Sequence, residues 1–301
     1  MKTHFTGKMT AIICALCLAL GVAGVVLFAG GVASAADEDD GILIDVDLEE
    51  IATPLPADVT DNRSTVPWCV DDIECGECQI WDGVPYVNVQ LFCSALGLDV
   101  TGSGTEEDYR VTGSDIELEA AGGDLYFSCN GRYFYVPEGV RFESGYALLP
   151  VDKLAECFGV SAYLNRSAWR VMIAGEPFAP ESGDTYYAET DVYWLSRVIY
   201  AEVGDQSLPG QMAVGNVILN RVADEGYADN VYDVIFEKNQ FDVVINGMIY
   251  MEPSQSAEIA AKLALEGYNV VSDAMYFSTS DPGDGYCIIA WIGDHCFMAE
   301  A

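Results

Sequence analysis

Two carboxylates stand three residues apart where an apolar helical pattern ends. They are Glu202 and Asp205, in the run Leu195-Ser196-Arg197-Val198-Ile199-Tyr200-Ala201-Glu202-Val203-Gly204-Asp205. A carboxyl that follows a hydrophobic face tends to lose hydration, which penalises its charged form and raises its pKa. A glutamate raised towards neutrality can protonate a leaving oxygen, which is the work of a glycosidic general acid. Periodicity alone fits an ordinary solvated glutamate at a helix end at least as well. The helix that follows offers Gln211 and Asn220 as polar groups. Further on, Gln240, Phe241 and Tyr276 suit a saccharide through amide hydrogen bonds and ring stacking, although both rings fit a core equally well. His295 reads either as a structural histidine or as a cleft residue that hydrogen-bonds a sugar or peptide group. It makes a poor dyad with Cys296, because neighbours on a strand point to opposite faces.

The elements that must position these groups belong to a chain of 301 residues, with 13 basic side chains, 48 acidic ones and two histidines. Two histidines leave little room for chemistry built on several imidazoles, so acid–base work falls to carboxylates, and neither metal nor cofactor is expected. The net charge of −35 argues against nucleic acid as a partner, since phosphate binding needs clustered Lys and Arg. A composition that is 51% hydrophobic supports a real core, and the length suits two domains.

At the start, Lys2 and Lys8 precede an apolar run at 11–32 and then Ala33-Ser34-Ala35, the pattern of a secretory signal over residues 1–35. The run is also long enough to remain as a membrane anchor, so the protein is expected to be secreted or held at the cell surface. Eight cysteines lie beyond residue 35, and an even number in an exported protein reads as disulfides. Cys287 and Cys296, which bracket a terminal hairpin, are the expected pair. Cys75 and Cys78 form a C-x-x-C without the nearby histidine or second C-x-x-C of a zinc site.

Residues 36–65 read as an acidic linker, with eight acids between Asp37 and Glu50. Residues 66–174 read as a small β-rich module with an internal repeat: Gly83–Gly97 aligns with Gly145–Gly159, each a short strand feeding a short helix that stops at glycine. Asn130-Gly131 marks a hairpin turn between the copies. Residues 175–187, with two prolines and two glycines, read as an inter-domain linker. Residues 188–301 show helical periodicity first and strands last. Helices are expected from about 192 to 202, from after Leu208-Pro209-Gly210 to about 222, over 232–237, and over 254–265 with Ser254 as N-cap. Strands are expected at 274–278 and 286–298. The fold class is therefore α+β.

Five sequence landmarks of this last domain occur in a recognisable order. They are Tyr200-Ala201-Glu202; Gly210-Gln211-Met212-Ala213-Val214 with Val217-Ile218-Leu219-Asn220-Arg221-Val222; Asn239-Gln240-Phe241-Asp242; Asp273-Ala274-Met275-Tyr276-Phe277; and Ile292-Gly293-Asp294-His295-Cys296-Phe297. Together they resemble the cell wall hydrolase family of SleB type, the spore-cortex-lytic and related peptidoglycan hydrolases. The resemblance implies a lysozyme-like fold and cleavage of the β-1,4 bond between N-acetylmuramic acid and N-acetylglucosamine. It carries the general acid onto Glu202. In members that act as lytic transglycosylases, one glutamate suffices: it protonates the leaving oxygen and then, as base, lets the muramyl 6-hydroxyl close a 1,6-anhydro ring. Asp205 stands where the family usually has a second glutamate, and Gly215-Asn216 replace a small alanine pair. The β-rich module resembles the copper amine oxidase N-terminal-like domain, which despite its name implies binding or spacing at the cell surface rather than copper chemistry. A wall-binding or adhesion protein of weak catalysis is the alternative to the enzyme.

Overall fold

The structure, a computed structural model, describes residues 64–165 and 167–301. The expected signal or anchor at 1–35, with its apolar run at 11–32, and almost all of the acidic linker lie outside the described residues. No helix among the described residues is long and apolar enough to cross a membrane.

Tight turns organise the first half. Asp71-Asp72, Asp82-Gly83, Asn130-Gly131 and Ser144-Gly145 each hold two successive residues at positive φ, the geometry whose twist matches that of flanking strands. These turns join β1 (Thr65–Val70) to β2 (Ile73–Trp81), β2 to β3 (Val84–Asn88), β7 (Tyr126–Cys129) to β8 (Arg132–Tyr135), and β9 (Arg141–Glu143) to β10 (Tyr146–Pro150). The repeat is visible in three dimensions. In the first copy β3 runs into α1 (Val89–Ala95), then β4 (Val100–Gly104) and β5 (Tyr109–Gly113). In the second, β10 runs into α2 (Val151–Phe158), then β11 (Ser161–Asn165) and β12 (Arg170–Ala174). The two copies meet antiparallel, with Val87 opposite Leu149. Asn88 caps α1 by accepting from the Leu91 amide at 3.0 Å, and Gly159 ends α2 in the left-handed conformation that glycine adopts without strain.

Seven strands form one sheet in the order β11-β12-β1-β2-β3-β10-β9. A second sheet runs β4-β5-β6-β7-β8, where β6 is Glu117–Ala120. The helices and alternating strand positions bury Trp68, Phe92, Leu149, Leu154 and Phe158 between them, with Trp68 stacked on Phe92 at 5.9 Å.

The segment 175–187 is a packed strap rather than a loose linker. The Phe178 amide donates to the Phe158 carbonyl, and the Gly183 amide donates to the Asn130 carbonyl. A single helical turn, α3 (Gly183–Tyr186), then delivers Tyr187, whose buried hydroxyl donates to Glu266 at 2.6 Å and accepts from the Tyr133 amide at 3.0 Å. A proline- and glycine-rich composition signals only that the strap is irregular, whereas two of its backbone donors are satisfied by the strand-rich part that precedes it.

Beyond the strap lie α4 (Glu189–Val203), α5 (Leu208–Ala223), α6 (Val231–Phe236), α7 (Asp242–Ile245), a 3₁₀ turn (Met248–Tyr250) and α8 (Gln255–Leu265). Gly215 sits where α4, α5 and α8 meet. A Cβ there would lie 3.2 Å from Ile199 Cδ1 and 3.3 Å from Ala264 Cβ, so glycine lets the three helices close together. Asn216 beside it is buried, donating to the Tyr268 carbonyl and accepting from the Val270 amide, which fixes the chain leaving α8. Ser254 caps α8 through the Ala257 amide, at the expected position.

The expected strand 286–298 is broken. Gly293-Asp294 turns it into a hairpin of β14 (Tyr286–Ile292) and β15 (His295–Glu300), and with β13 (Tyr276–Ser278) these form a sheet ordered β13-β15-β14. Positive φ at Gly293 lets two residues reverse the chain. The expected Cys287–Cys296 disulfide is absent. Cys287 is exposed opposite Ala299, and Cys296 is buried opposite Trp291, so the register separates them. All eight cysteines of the described residues are free thiols. Burial pushes the Cys93 thiol up to about 12, which leaves it a hydrophobic core group at neutral pH.

Candidate functional site

Helix α4 positions Glu202 in its last turn. Glu189 and Asp191 lie in the first turn, where carboxylates favour the helix dipole, and Gly204 ends the helix at positive φ. Leu195, Val198, Ile199 and Val203 anchor the helix in the core, so the Glu202 carboxyl rises from a dry face. Its pKa is pushed up to about 7, first by lost hydration and second by the negative charge of Asp242. A glutamic acid in that range holds its proton at neutral pH and releases it readily.

The second carboxylate that acts on Glu202 is thus Asp242, at the start of α7, which packs against α4. Asp205 lies past Gly204, exposed on the connection to α5. Sequence reasoning missed Asp242 as an acid. The only signal was its place directly after Gln240-Phe241, in a run read as saccharide-binding.

An aromatic wall stands beside this carboxylate pair. Phe241, buried as the N-cap residue of α7, lies 6.4 Å from the Phe277 ring of β13, and Phe277 contacts His295 at 5.8 Å and Phe297 at 6.0 Å. His295, the first residue of β15, is almost fully buried, and its Nδ1 lies 3.3 Å from Gln206 Nε2. Burial lowers its pKa against a weaker opposing pull from Asp294, so the ring is neutral at neutral pH. A neutral imidazole can accept the Gln206 N–H.

Arg221 is a second residue that the candidate set lacked. Its buried guanidinium donates from Nε to the Met275 carbonyl at 2.8 Å and from Nη1 to Gln240 Oε1 at 3.2 Å. The rings of Tyr227, Phe241 and Tyr276 surround it at 5.4–5.5 Å. It therefore locks the approach to α7 onto β13, and it holds the exposed Gln240 by its carbonyl oxygen. Tyr276 accepts from the Tyr227 hydroxyl at 3.1 Å and donates to Glu300 at 3.0 Å.

Gln211 and Asn220 serve the scaffold. Gln211 is fully buried; its Nε2 donates to the Gly204 carbonyl at 2.7 Å and its Oε1 accepts from Ser256 at 2.6 Å. Asn220 donates to the carbonyls of Ser272 and Ala274 and accepts from Asn269. Gln211 is closed off from a sugar by its burial, and both N–H groups of Asn220 are spent on backbone carbonyls. Gln211 instead ties the end of the Glu202 helix to α8. A Gln211→Ala protein is expected to lose about 1–3 kcal/mol of stability in urea denaturation, because two part-buried polar partners lose their hydrogen bonds.

Residues 205–298 match the family model described as Cell Wall Hydrolase. Glu202 lies just before the first matched residue. The spore cortex-lytic enzyme of Bacillus cereus is 33% identical over 116 residues, which cover 37% of this chain and 45% of that protein. That of Halalkalibacterium halodurans is 35% identical over 116 residues, 37% of this chain and 35% of that protein. The chain thus spans less than half the length of the curated relatives it matches. Among solved structures, the catalytic domain of the Bacillus cereus SleB protein is 30% identical, covering 38% of this chain and 92% of that one at a TM-score of 0.35. The catalytic domain of the germination-specific lytic transglycosylase SleB from Bacillus anthracis is 31% identical, covering 38% and 97%, also at 0.35.

Proposed function

We propose, from the premise that residues 205–298 form a cell wall hydrolase domain with spore cortex-lytic enzymes as relatives, that this protein cleaves peptidoglycan glycan strands as a lytic transglycosylase. The observation that carries the proposal is the Glu202 carboxyl, desolvated at a helix end and poised at about 7. Glu202 donates its proton to the glycosidic oxygen between N-acetylmuramic acid and N-acetylglucosamine as the C1–O bond breaks. The charge of Asp242 opposes early loss of that proton and favours the positive charge developing at C1. The Glu202 carboxylate then takes the proton of the muramyl 6-hydroxyl as that oxygen closes on C1. The proton returns to Glu202, and no water is consumed. The domain is lysozyme-like on this reading, and the β-rich repeat ahead of it, similar to the copper amine oxidase N-terminal-like module, binds or spaces at the wall. Export through residues 1–35 would deliver the protein to its substrate.

Mass analysis of muropeptides released from purified peptidoglycan tests the mechanism. Products one water lighter than reducing-end muropeptides are expected. Reducing ends would instead mark a hydrolase in which water replaces the 6-hydroxyl, and an intact sacculus that retains the protein would mark a wall-binding protein.

A further inference from the structure

An exposed aromatic cluster on the helix of Glu202 takes no part in the chemistry above. Trp194 of α4 lies edge-on to Tyr193, Tyr232, Phe236 and Tyr250, with centroids 4.8–6.2 Å away, and Tyr232 stacks on Phe236 at 4.4 Å. The Arg197 guanidinium, itself paired with Glu252, covers Tyr193 at 3.7 Å. Tyr250 and Tyr232 remain open to solvent, 63% and 47% exposed. Large exposed aromatic side chains gathered in one place mark an interaction surface rather than an accident of folding.

The position of the cluster narrows its occupant. Trp194 precedes Glu202 by eight residues, about 12 Å of helix. The segment that delivers Tyr250 begins at Asp242, beside Glu202, and both α7 and the following 3₁₀ turn pack along α4. Between the two ends of that segment, Ile245 and Met248 are exposed beside the polar Asn246 and Gly247, so an exposed stretch of mixed character leads from the candidate acid to the rings. A polymer with one linkage at Glu202 that continues along this stretch reaches the rings with its next residues. Pyranose rings present C–H faces that stack on aromatic rings, while phenol hydroxyls can meet N-acetyl and hydroxyl groups. Neither contact needs positive charge, in which the protein is poor.

From this continuity we infer that the Trp194–Tyr232–Tyr250 surface is a distal glycan subsite, holding the peptidoglycan strand several sugars away from the bond cut at Glu202. The inference rests on the glycan-cleaving reading above and names how the strand is gripped. A strand held at two places on one rigid helix presents its linkages to the acid in a fixed register and stays bound between cuts.

Sedimentation of the Glu202→Gln protein with insoluble purified peptidoglycan tests the subsite without turnover. Combining Tyr232→Ala with Tyr250→Ala is expected to weaken binding about tenfold or more, since each aromatic contact contributes a several-fold factor. The matching Tyr→Phe pair, which keeps the rings, is expected to retain most of the binding, and thermal melts of all three check folding. Should the alanine pair bind as well as its parent, the subsite is wrong while the catalytic reading stands. Should the Glu202→Gln protein not bind strands at all and the wild type release no muropeptides, both fall together. A dimer in gel filtration that the alanine pair dissolves, with unchanged wall binding, would assign the rings to a second copy of the chain and overturn the subsite.

Discussion

A Glu202→Gln protein is expected to lose about 10²–10⁴-fold of its turnover on purified peptidoglycan while remaining folded, the usual contribution of a positioned general acid. Glutamine keeps the shape and removes only the proton that the leaving oxygen needs. The pH dependence identifies the group. Turnover requires protonated Glu202, so the wild-type rate should fall as pH rises through about 7. Asp242→Asn removes a charge that favours the protonated form, and its alkaline limb is expected at lower pH. Stability carries the same signature. The folded pKa of Glu202 is raised above that of the unfolded chain, so the folded state holds the extra proton between about 4.5 and 7. Stability contributed by this group is therefore lost as pH rises through that window, and ionised Glu202 burdens the fold above it. Urea denaturation of Glu202→Gln should show a smaller decline across the window and a higher stability than wild type above pH 7. A rate profile that keeps its limb near 7 in Glu202→Gln would assign the limb elsewhere.

The site was partly legible because some of its determinants are local. The periodicity of α4 places Glu202 at the end of a dry face, Ser254 caps the helix it precedes, and Asn130-Gly131 has the dihedral freedom its hairpin needs. Asp71-Asp72 makes the same kind of turn without glycine, held by the strands it joins, and carries no such local mark. Determinants that act across the chain stayed hidden. Asp242 meets Glu202 only because α7 packs on α4, a juxtaposition forty residues apart. Gln211 and Asn220 looked like cleft amides because a polar residue on an apolar helix serves a ligand or a buried carbonyl equally well, and only packing decides. The run that hid the Gly293-Asp294 reversal shows the same limit: β15 is buried and β14 is largely exposed, yet both are apolar in sequence, so composition alone does not mark the turn between them.

The strap and the junction it closes lead to the second large effect. Arg132 of β8 donates from Nε and Nη2 to the two oxygens of Glu266 at 3.0 and 2.6 Å, just past the end of α8. The Glu266 side chain is 4% exposed and that of Arg132 17%, and Tyr187 from the strap donates to the same carboxylate. The guanidinium also lies 3.6 Å from the centre of the Tyr186 ring. One bidentate pair thus joins the strand-rich first half, the strap and the helices that follow it. Arg132→Ala leaves a buried carboxylate with the Tyr187 hydroxyl as its remaining donor, and about 3–5 kcal/mol of stability is expected to be lost in chemical denaturation. A surface pair would contribute at most about 1 kcal/mol, so a loss below that would place the junction in water. Replacing both partners with apolar residues, Arg132→Met with Glu266→Leu, should recover most of the loss, because no charge is then stranded. The two outcomes separate the cost of an uncompensated charge from the adhesion of the modules. If the double variant remains as unstable as Arg132→Ala, the ion pair itself joins the modules. If it recovers, the tyrosines and the backbone hydrogen bonds of the strap hold them together, and the pair selects the register in which they meet.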